Sequence, residues 1–159
     1  MTTRREFLVL ACGVAGTTAA ASARAQLPPN VEALRKAALQ EAIRKVTGDA
    51  PLQAGRVTLE VPPLVDNGNT VPVSVKVESP MTPADYVKAI YVFTEKNPQP
   101  NVIAAHLGPR AGRAQIATRA RIADTGVVIA IAQMSDGSFW SDRANVVVTL
   151  SACLEDGLI

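Results

Sequence analysis

The feature of this sequence that most constrains its fold is an apolar/polar alternation with a period of two residues. It is clearest in residues 70–78, where valine occupies positions 71, 73, 75 and 77. Successive side chains of a strand point to opposite faces of a sheet, so this segment would bury one face and expose the other. The pattern predicts a sheet that packs one side against an apolar core.

Six further segments have the length and composition of strands, and turn residues separate them. Asp66-Asn67-Gly68-Asn69 is a strong turn signal. Residues 127–135 are almost wholly apolar, as expected of a central strand in a sandwich. Seven short strands within residues 51–150 predict an all-β fold, an immunoglobulin-like β-sandwich. The seven predicted strands are 56–61, 70–78, 89–95, 102–107, 114–122, 127–135 and 144–150.

One helix is predicted before the sandwich, in a segment of linker and helix at residues 26–50. Residues 31–46 carry apolar side chains at helical spacing, with charged side chains on the other faces. Asn30 can cap this helix and Gly48 can end it. We expect the helix to pack on the flank of the sandwich and to take no part in chemistry.

Residues 1–25 have the organisation of an export signal. Arg4 and Arg5 precede an apolar run at residues 7–21, and Ala23-Arg24-Ala25 offers signal peptidase a small-x-small site. Cleavage two residues earlier is the alternative site, and a buried or amphipathic helix is the alternative structure. The arginine pair resembles a twin-arginine signal, which exports folded proteins to the periplasm. The apolar run is too short, and too rich in small residues, to favour a membrane span.

The charge balance and the aromatic content exclude two classes of partner. The leader holds three arginines and one glutamate, so its removal takes the chain from 16 basic and 14 acidic residues to 13 of each. A net charge near zero provides no electrostatic footprint for nucleic acid or for an acidic membrane. Aromatic residues make up only 4% of the chain, too few for base-stacking platforms. We expect no nucleic-acid partner and no stable membrane insertion.

The chain has two cysteines, Cys12 and Cys153. Cys12 lies in the leader, where a lipid-modified cysteine is a less favoured alternative because Val9-Leu10-Ala11 is a poor lipobox. Once the leader is removed, Cys153 in the terminal segment 151–159 cannot form an internal disulfide. An unpaired cysteine in an exported protein indicates intermolecular pairing or a reactive thiol. An incidental cysteine packed at the end of a strand is the alternative.

The neighbours of Cys153 do not favour its thiolate form. Glu155 and Asp156 follow closely, and no basic residue follows Arg143. A thiolate needs a cationic or dipolar setting to form at neutral pH. We therefore expect this thiol to be activated inside a partner enzyme.

The sequence lacks the usual parts of a self-contained active site. His106 is the sole histidine and lies in an apolar run, where a half-buried strand histidine is a better interpretation than a ligand or a base. One histidine and one cysteine are too few for a zinc site. No glycine-rich phosphate loop follows a strand. We expect no catalytic residue, no metal and no cofactor.

A basic strand face is the remaining candidate for binding. Arg113, Arg119 and Arg121 fall on one side of the predicted strand 114–122. Three guanidinium groups can dock an acidic partner or steer an anion. The alternative is an ordinary solvated sheet face.

Five short stretches occur in a fixed order between the helix and the terminal cysteine. They are Asp66-Asn-Gly-Asn-Thr-Val-Pro-Val73, Glu95-Lys-Asn-Pro-Gln-Pro100, Ala117-Thr-Arg-Ala-Arg-Ile122, Met134-Ser-Asp-Gly137 and Val147-Val-Thr-Leu150. With the leader and the cysteine tail, they resemble SoxY, the sulfur-carrier subunit of bacterial thiosulfate oxidation. The resemblance implies an immunoglobulin-like fold, a heterodimer with a second small β-sandwich subunit, SoxZ, and sulfur intermediates carried covalently on Cys153 between sulfur-oxidation enzymes.

The arm around Cys153 departs from the usual pattern of that family. SoxY ends Gly-Gly-Cys-Gly-Gly, where glycines make a thin, flexible arm. Here Ser151-Ala152 and Leu154-Glu155 frame the cysteine, which is similar to SoxY-related paralogues with an Ala-Ala-Cys-Ile-Glu arm. Such an arm is bulkier and more acidic, which disfavours pockets built for glycine.

Three hypotheses about function follow. The leading one is a periplasmic sulfur carrier, itself not an enzyme, whose Cys153 bears a persulfide or thiosulfonate. The second is an accessory binding subunit whose Cys153 forms a mixed disulfide with a partner. The third is a self-contained enzyme, which the sequence disfavours because it offers no evident base.

Overall fold

The structure is a computed structural model that describes residues 29–151. The predicted leader, Cys12 and the arm with Cys153 lie outside the described residues. Within residues 29–151 the chain forms one helix and nine strands, with short 3₁₀ turns at Gly68–Thr70 and Pro109–Ala111. The elements are α1 (Pro29–Thr47), β1 (Leu52–Gln53), β2 (Val57–Glu60), β3 (Leu64–Asn67), β4 (Val71–Val77), β5 (Val87–Thr94), β6 (Asn101–His106), β7 (Gln115–Ala120), β8 (Gly126–Met134) and β9 (Phe139–Leu150).

Two sheets pack face to face as a β-sandwich, which confirms the predicted fold class. The larger sheet has the order β1-β9-β8-β5-β6, with β3 also paired to β9, and the smaller sheet has the order β2-β4-β7. Val71, Val73, Val75 and Val77 on β4 are each at most 8% exposed, as the alternation predicted. They share one core with buried residues of the larger sheet. These include Ile90, Val92, Val128, Ala130, Ala132, Val146 and Val148.

The helix α1 packs on the outer face of the larger sheet, as predicted. Leu39 forms a buried cluster with Phe93, Ile131 and Phe139, which lie on β5, β8 and β9. The central strands are therefore covered by the core on one face and by α1 on the other. This double burial explains why residues 127–135 are almost wholly apolar, since a strand buried on both faces has no solvent side.

The ends of α1 differ slightly from the prediction. The helix starts two residues before and ends one residue after the predicted 31–46. Asn30, expected to cap the helix, lies inside its first turn because the helix begins at Pro29, where a missing N–H costs little. Gly48 ends the helix as predicted, with φ +60° and its N–H donating to the carbonyl of Arg44 at 2.7 Å. Among the described residues, no helix is long and apolar enough to cross a membrane.

All seven predicted strands are present, but two further short strands, β1 and β3, were missed. Both pair in parallel with β9, with Leu52 opposite Phe139 and Leu64 opposite Val147. The strands β2 and β4 are antiparallel neighbours, but the segment between them leaves their sheet to run along β9 as β3. Segments of two and four residues are too short to show a period, so nothing local distinguishes them from loop.

The last strand was predicted too short. It begins at Phe139 rather than at residue 144. Alternation along β9 places Asp142 on the same face as Val146 and Val148, which are buried in the core. The carboxylate of Asp142 breaks the apolar alternation on the inner face. For this reason the sequence pattern predicted no strand before residue 144. A backbone hydrogen bond from Leu59 satisfies that carboxylate.

Candidate functional site

The terminal arm that carries Cys153 follows directly after the end of β9 in the chain. We call this end, where Leu150 lies opposite Asn67 and Val146 lies opposite Gly126, the exit end. The position of Leu150, the last residue of β9, therefore limits how far away Cys153 can lie.

Hydrogen bonds hold the last residues of β9 on both sides of the strand. On one side, the N–H of Val147 donates to the carbonyl of Pro63 at 2.9 Å. On the other side, the N–H of Val148 donates to Oγ1 of Thr125 at 2.9 Å, and that hydroxyl also lies 3.4 Å from the carbonyl of Val148. The hydroxyl of Thr149 donates to the backbone carbonyl of Asp66 at 3.2 Å. The base of the arm is therefore anchored in the sheet.

The chain length between Leu150 and Cys153 limits where the thiol can go. Cys153 follows Leu150 by three residues. A fully extended chain spans at most about 3.5 Å per residue, so the Cα of Cys153 stays within about 10 Å of the Cα of Leu150. The thiol is thus confined to the surroundings of the exit end.

His106 lies at the opposite end of the sandwich from the arm. The register places His106, Ala89, Gln133 and Phe139 in one row across the larger sheet. Leu150 is eleven steps along β9 from Phe139, which at about 3.3 Å per step is about 36 Å. This distance exceeds the reach of the arm several-fold, so His106 cannot act as a base for Cys153 of the same chain.

The expectation that His106 is half-buried is wrong. Its side chain is exposed and lies edge-on to Tyr91, with ring centroids 6.1 Å apart. The reason is topological, because β6 is an edge strand of the larger sheet and His106 is its last residue. An apolar run in the sequence does not distinguish an edge strand from a central one.

The described part of the chain contains no group of three or more His, Cys, Asp or Glu side chains that could hold a metal ion. Because Cys153 lies outside that part, the expectation of no metal and no cofactor stays a prediction. A shallow depression of about 560 Å³ on the smaller sheet is lined mainly by small and apolar residues. Its one charged lining side chain, Glu60, makes a salt bridge of 2.9 Å to Lys76. The depression brings no nucleophile and base together.

The three arginines proposed for docking are all exposed, but they do not form one compact site. Arg119 lies opposite Pro72 within the smaller sheet. Arg121 and Arg113 flank β7 at its two ends, eight residues apart, which in a strand is about 26 Å. Among residues 29–151, none of the three forms a salt bridge.

Arg121 lies at the exit end. The N–H of its neighbour Ile122 donates to the carbonyl of Gly68 at 2.8 Å, and Gly68 follows Asn67, the partner of Leu150. Arg119 and Arg121 are therefore near the base of the arm. Arg113 is at the other end of β7, beside the Pro109–Ala111 turn.

Comparison with known families gives one match that covers most of the chain. The family described as "Sulfur oxidation protein SoxY" matches residues 43–153. The matched range begins in the last turns of α1, spans both sheets and reaches Cys153. The last residue of the matched range is therefore Cys153. None of the curated proteins matches the chain.

Solved structures with the same fold include a sulfur carrier and superoxide reductases. The sulfur carrier protein SoxY from Chlorobium limicola f thiosulfatophilum is 27% identical with a TM-score of 0.60, over 72% of this chain and 98% of that one. A superoxide reductase (neelaredoxin) from Ignicoccus hospitalis is 19% identical with a TM-score of 0.51, over 59% of this chain and 80% of that one. A putative superoxide reductase from Thermotoga maritima is 19% identical with a TM-score of 0.51, over 62% and 87%. At these identities the reductases share the fold alone with this chain.

Proposed function

The chain belongs to the SoxY family of sulfur oxidation proteins, and from this we propose that it is a sulfur carrier that holds its cargo covalently on Cys153. The observation that carries the proposal is the extent of the family match, which runs through the sandwich to Cys153. The likeness to the sulfur carrier protein of Chlorobium limicola supports the same role. In this role the chain is not itself an enzyme.

The geometry of the exit end supports a carrier rather than a self-contained catalyst. The base of the arm is anchored, and the Cα of Cys153 stays within about 10 Å of the Cα of Leu150. The side chain of His106 is about 36 Å away along the sheet. With the sole histidine out of reach, we infer that another protein activates the thiol, as in a carrier.

Covalent attachment explains the value of the arm. A persulfide or thiosulfonate bonded to Cys153 cannot diffuse away between two enzymes. Tethering also keeps the reacting sulfur at a high effective concentration near each pocket that the arm enters. The side chains of Leu154 and Glu155 make this arm bulkier than a glycine arm, so its client pockets are wider than those that accept glycine alone.

The proposed location is the periplasm, reached through a twin-arginine signal at residues 1–25. This is supported by Arg4 and Arg5 before the apolar run and by Ala23-Arg24-Ala25 after it. A folded β-sandwich suits an export route that carries proteins after folding. The signal is then cleaved, which leaves Cys153 as the single cysteine.

The proposed partners are a second small β-sandwich subunit of the SoxZ type, forming a heterodimer, and enzymes of sulfur oxidation. Within the described residues, β6 and β7 are each the last strand of their sheet, and they contact each other. Their free backbone edges therefore lie on one side of the sandwich, where a second sandwich can pair or pack. Arg113, Arg119 and Arg121 are exposed on or beside β7 and remain the candidate docking residues.

The experiment that tests the carrier role is intact mass spectrometry on the protein purified from its native periplasm without reductant. We expect sulfur-containing additions that are removed by treatment with a thiol and that are absent from Cys153→Ser. The Cys153→Ser variant must keep the unfolding temperature of the parent, since a structural cysteine would lower it. An unmodified mass while the pathway is active would refute the carrier role.

The accessory-subunit hypothesis has a separate signature in the same experiment. The bulky, acidic arm around Cys153 suits a stable contact with one protein as well as it suits transient contacts with several enzymes. A stable protein–protein disulfide at Cys153, with no turnover of a sulfur adduct, would favour this second function.

A further inference from the structure

Apolar side chains are exposed where the arm leaves the sandwich. Leu64 is 59% exposed, Val147 is 47% exposed and Leu150 is 68% exposed. We call these three residues the exit patch. They are three of the five large apolar side chains that are exposed among residues 29–151. Two of the three, Leu64 and Val147, lie directly opposite each other in the parallel pairing of β3 with β9.

The exit patch covers both faces of the end of β9. Val148 is buried in the core and Val65 packs against it, so the alternating neighbours Leu64 and Val147 lie on the opposite, outer face. Leu150 has the same alternation as Val148 but lies beyond the end of the core, which leaves it exposed. A protein that surrounds the arm at its base would therefore meet apolar side chains on either face.

The exposed side chains of the exit patch lie on strands whose backbone is held in place by hydrogen bonds. The backbone under the patch is held by hydrogen bonds from Val147 to Pro63 and from Thr149 to Asp66. Edge strands in soluble proteins are normally protected by charged side chains, and exposed apolar groups on a fixed surface mark contact sites. Leu64 on the edge strand β3 and its partner Val147 on β9 are apolar, so no charged side chain protects the sheet at this position beside the arm.

We propose that the exit patch is the docking surface for the enzyme that receives Cys153 into its pocket. This inference rests on the proposed carrier function. The Cα of Cys153 stays within about 10 Å of the Cα of Leu150, so an enzyme pocket that encloses the sulfur brings its rim against the patch. An apolar rim then buries the three side chains, and the hydrophobic effect makes this contact favourable.

The charges of the arm define the chemistry of the same partner further. Glu155 and Asp156 are the charged side chains after Arg143, and both are acidic. A pocket that encloses them must supply cationic groups, because burying unpaired carboxylates is costly. The partner is therefore an enzyme with an apolar rim around a basic pocket, and the same cations promote the thiolate of Cys153.

The test uses threonine variants, because threonine has a high strand propensity and removes apolar surface. At Val147 it also keeps the β-branched shape. The double variant Leu64→Thr/Val147→Thr alters the exit patch. Leu52→Thr is the matched control, since Leu52 is 41% exposed and also pairs with β9, but at the opposite end, across from Phe139. Each protein is purified from the native periplasm as in the carrier experiment, and the fraction of chains with a sulfur adduct on Cys153 is measured.

We expect the double variant to carry at least about ten-fold less adduct, a loss typical of removing central apolar contacts, while Leu52→Thr carries the wild-type amount. The unfolding temperature and the co-purifying small sandwich subunit must be unchanged. An adduct fraction equal to wild type in the double variant would overturn the inference while leaving the carrier function intact. No adduct in the wild type would instead refute the carrier function.

Two other occupants of the patch give different results. If the second sandwich subunit covers it, the double variant loses that subunit on purification. If the arm itself covers it, the isolated double variant shows faster alkylation of Cys153 by iodoacetamide than wild type. Either result overturns the proposal that the client enzyme docks there.

Discussion

The backbone N–H of Leu59 donates a 2.8 Å hydrogen bond to Oδ2 of Asp142, and this contact joins the smaller sheet to β9 of the larger one. Leu59 lies on β2, an edge strand of the smaller sheet. The other oxygen of the carboxylate, Oδ1, accepts from the N–H of Arg143 at 2.8 Å. A single inward-facing carboxylate thus satisfies an edge N–H and fixes the strand that leads to the arm.

The contact predicts that Asp142→Ala destabilises the fold. The substitution leaves the part-buried N–H of Leu59 without its acceptor, which costs about 1–3 kcal/mol of unfolding free energy. Asp142→Asn keeps an oxygen acceptor and should lose less. Chemical denaturation measures both. Glu60→Gln, which weakens the exposed salt bridge to Lys76, is the control and should cost less than about 1 kcal/mol. Equal losses for Asp142→Ala and Glu60→Gln would contradict the argument.

Asn97 has a comparable role at the exit end. It is 8% exposed, its Nδ2 donates to the carbonyl of Arg121, and its Oδ1 accepts from the N–H of Ala123, each at 2.8 Å. Asn97→Ala should cost about 1–3 kcal/mol, because two backbone groups lose their partner. It should also speed hydrogen exchange at Val148, which Thr125 in the same loop holds. The exposed Asn145 offers Asn145→Ala as a control with little effect, and unchanged exchange at Val148 would show that the loop is held by other contacts.

Ser138 controls the acidity of Asp136. The hydroxyl and the backbone N–H of Ser138 both donate to Oδ1 of Asp136, at 2.7 and 2.8 Å, and they lower the pKa of that carboxyl. Because the folded pKa lies below the unfolded value, this contribution to stability is present above the unfolded pKa and is lost as pH falls through the folded pKa. Ser138→Ala should raise the pKa of Asp136 towards its ordinary range. An NMR titration of the carboxyl would detect this, and an unmoved pKa would mean that the hydroxyl contributes nothing.

The distance between His106 and the arm predicts that this histidine does not influence the thiol. His106→Gln should leave the pH dependence of Cys153 alkylation by iodoacetamide unchanged, since about 36 Å separates the two ends of β9. Cys153→Ser is the control that shows alkylation is specific to the arm. A profile that moves in His106→Gln would mean that the histidine of one chain serves the cysteine of another.

Arg121 gives a prediction about partner binding. It is exposed, lies near the base of the arm and forms no salt bridge with any carboxylate of residues 29–151. If it faces an acidic patch of the client outside the basic pocket that takes the arm, Arg121→Glu should slow association about ten-fold or more at low salt, and the effect should shrink as salt rises. Surface plasmon resonance with the purified client measures this. Arg110→Glu, a charge reversal on the Pro109–Ala111 turn beyond the opposite end of β7, is the control and should leave the rate unchanged.

The sequence by itself determined the fold class and pointed to a residue for the proposed chemistry. The alternating valines at 71–77 required a sheet with a buried face, and the apolar run at 127–135 required a strand covered on both faces. The family resemblance and the single cysteine after the leader pointed to Cys153. The alternation and the apolar run are local signals, because period and apolar content can be read within a short window.

The tertiary structure alone decided what surrounds the arm. Leu64 and Val147 are 83 residues apart in the sequence and become neighbours only through the parallel pairing of β3 with β9. The inward-facing Asp142 broke the local pattern and is explained only by the N–H of Leu59. The register of the larger sheet also places His106 at the end of the sandwich opposite the base of the arm. Pairing between distant strands depends on which edges meet once the core has formed, and a short stretch of sequence does not encode that choice.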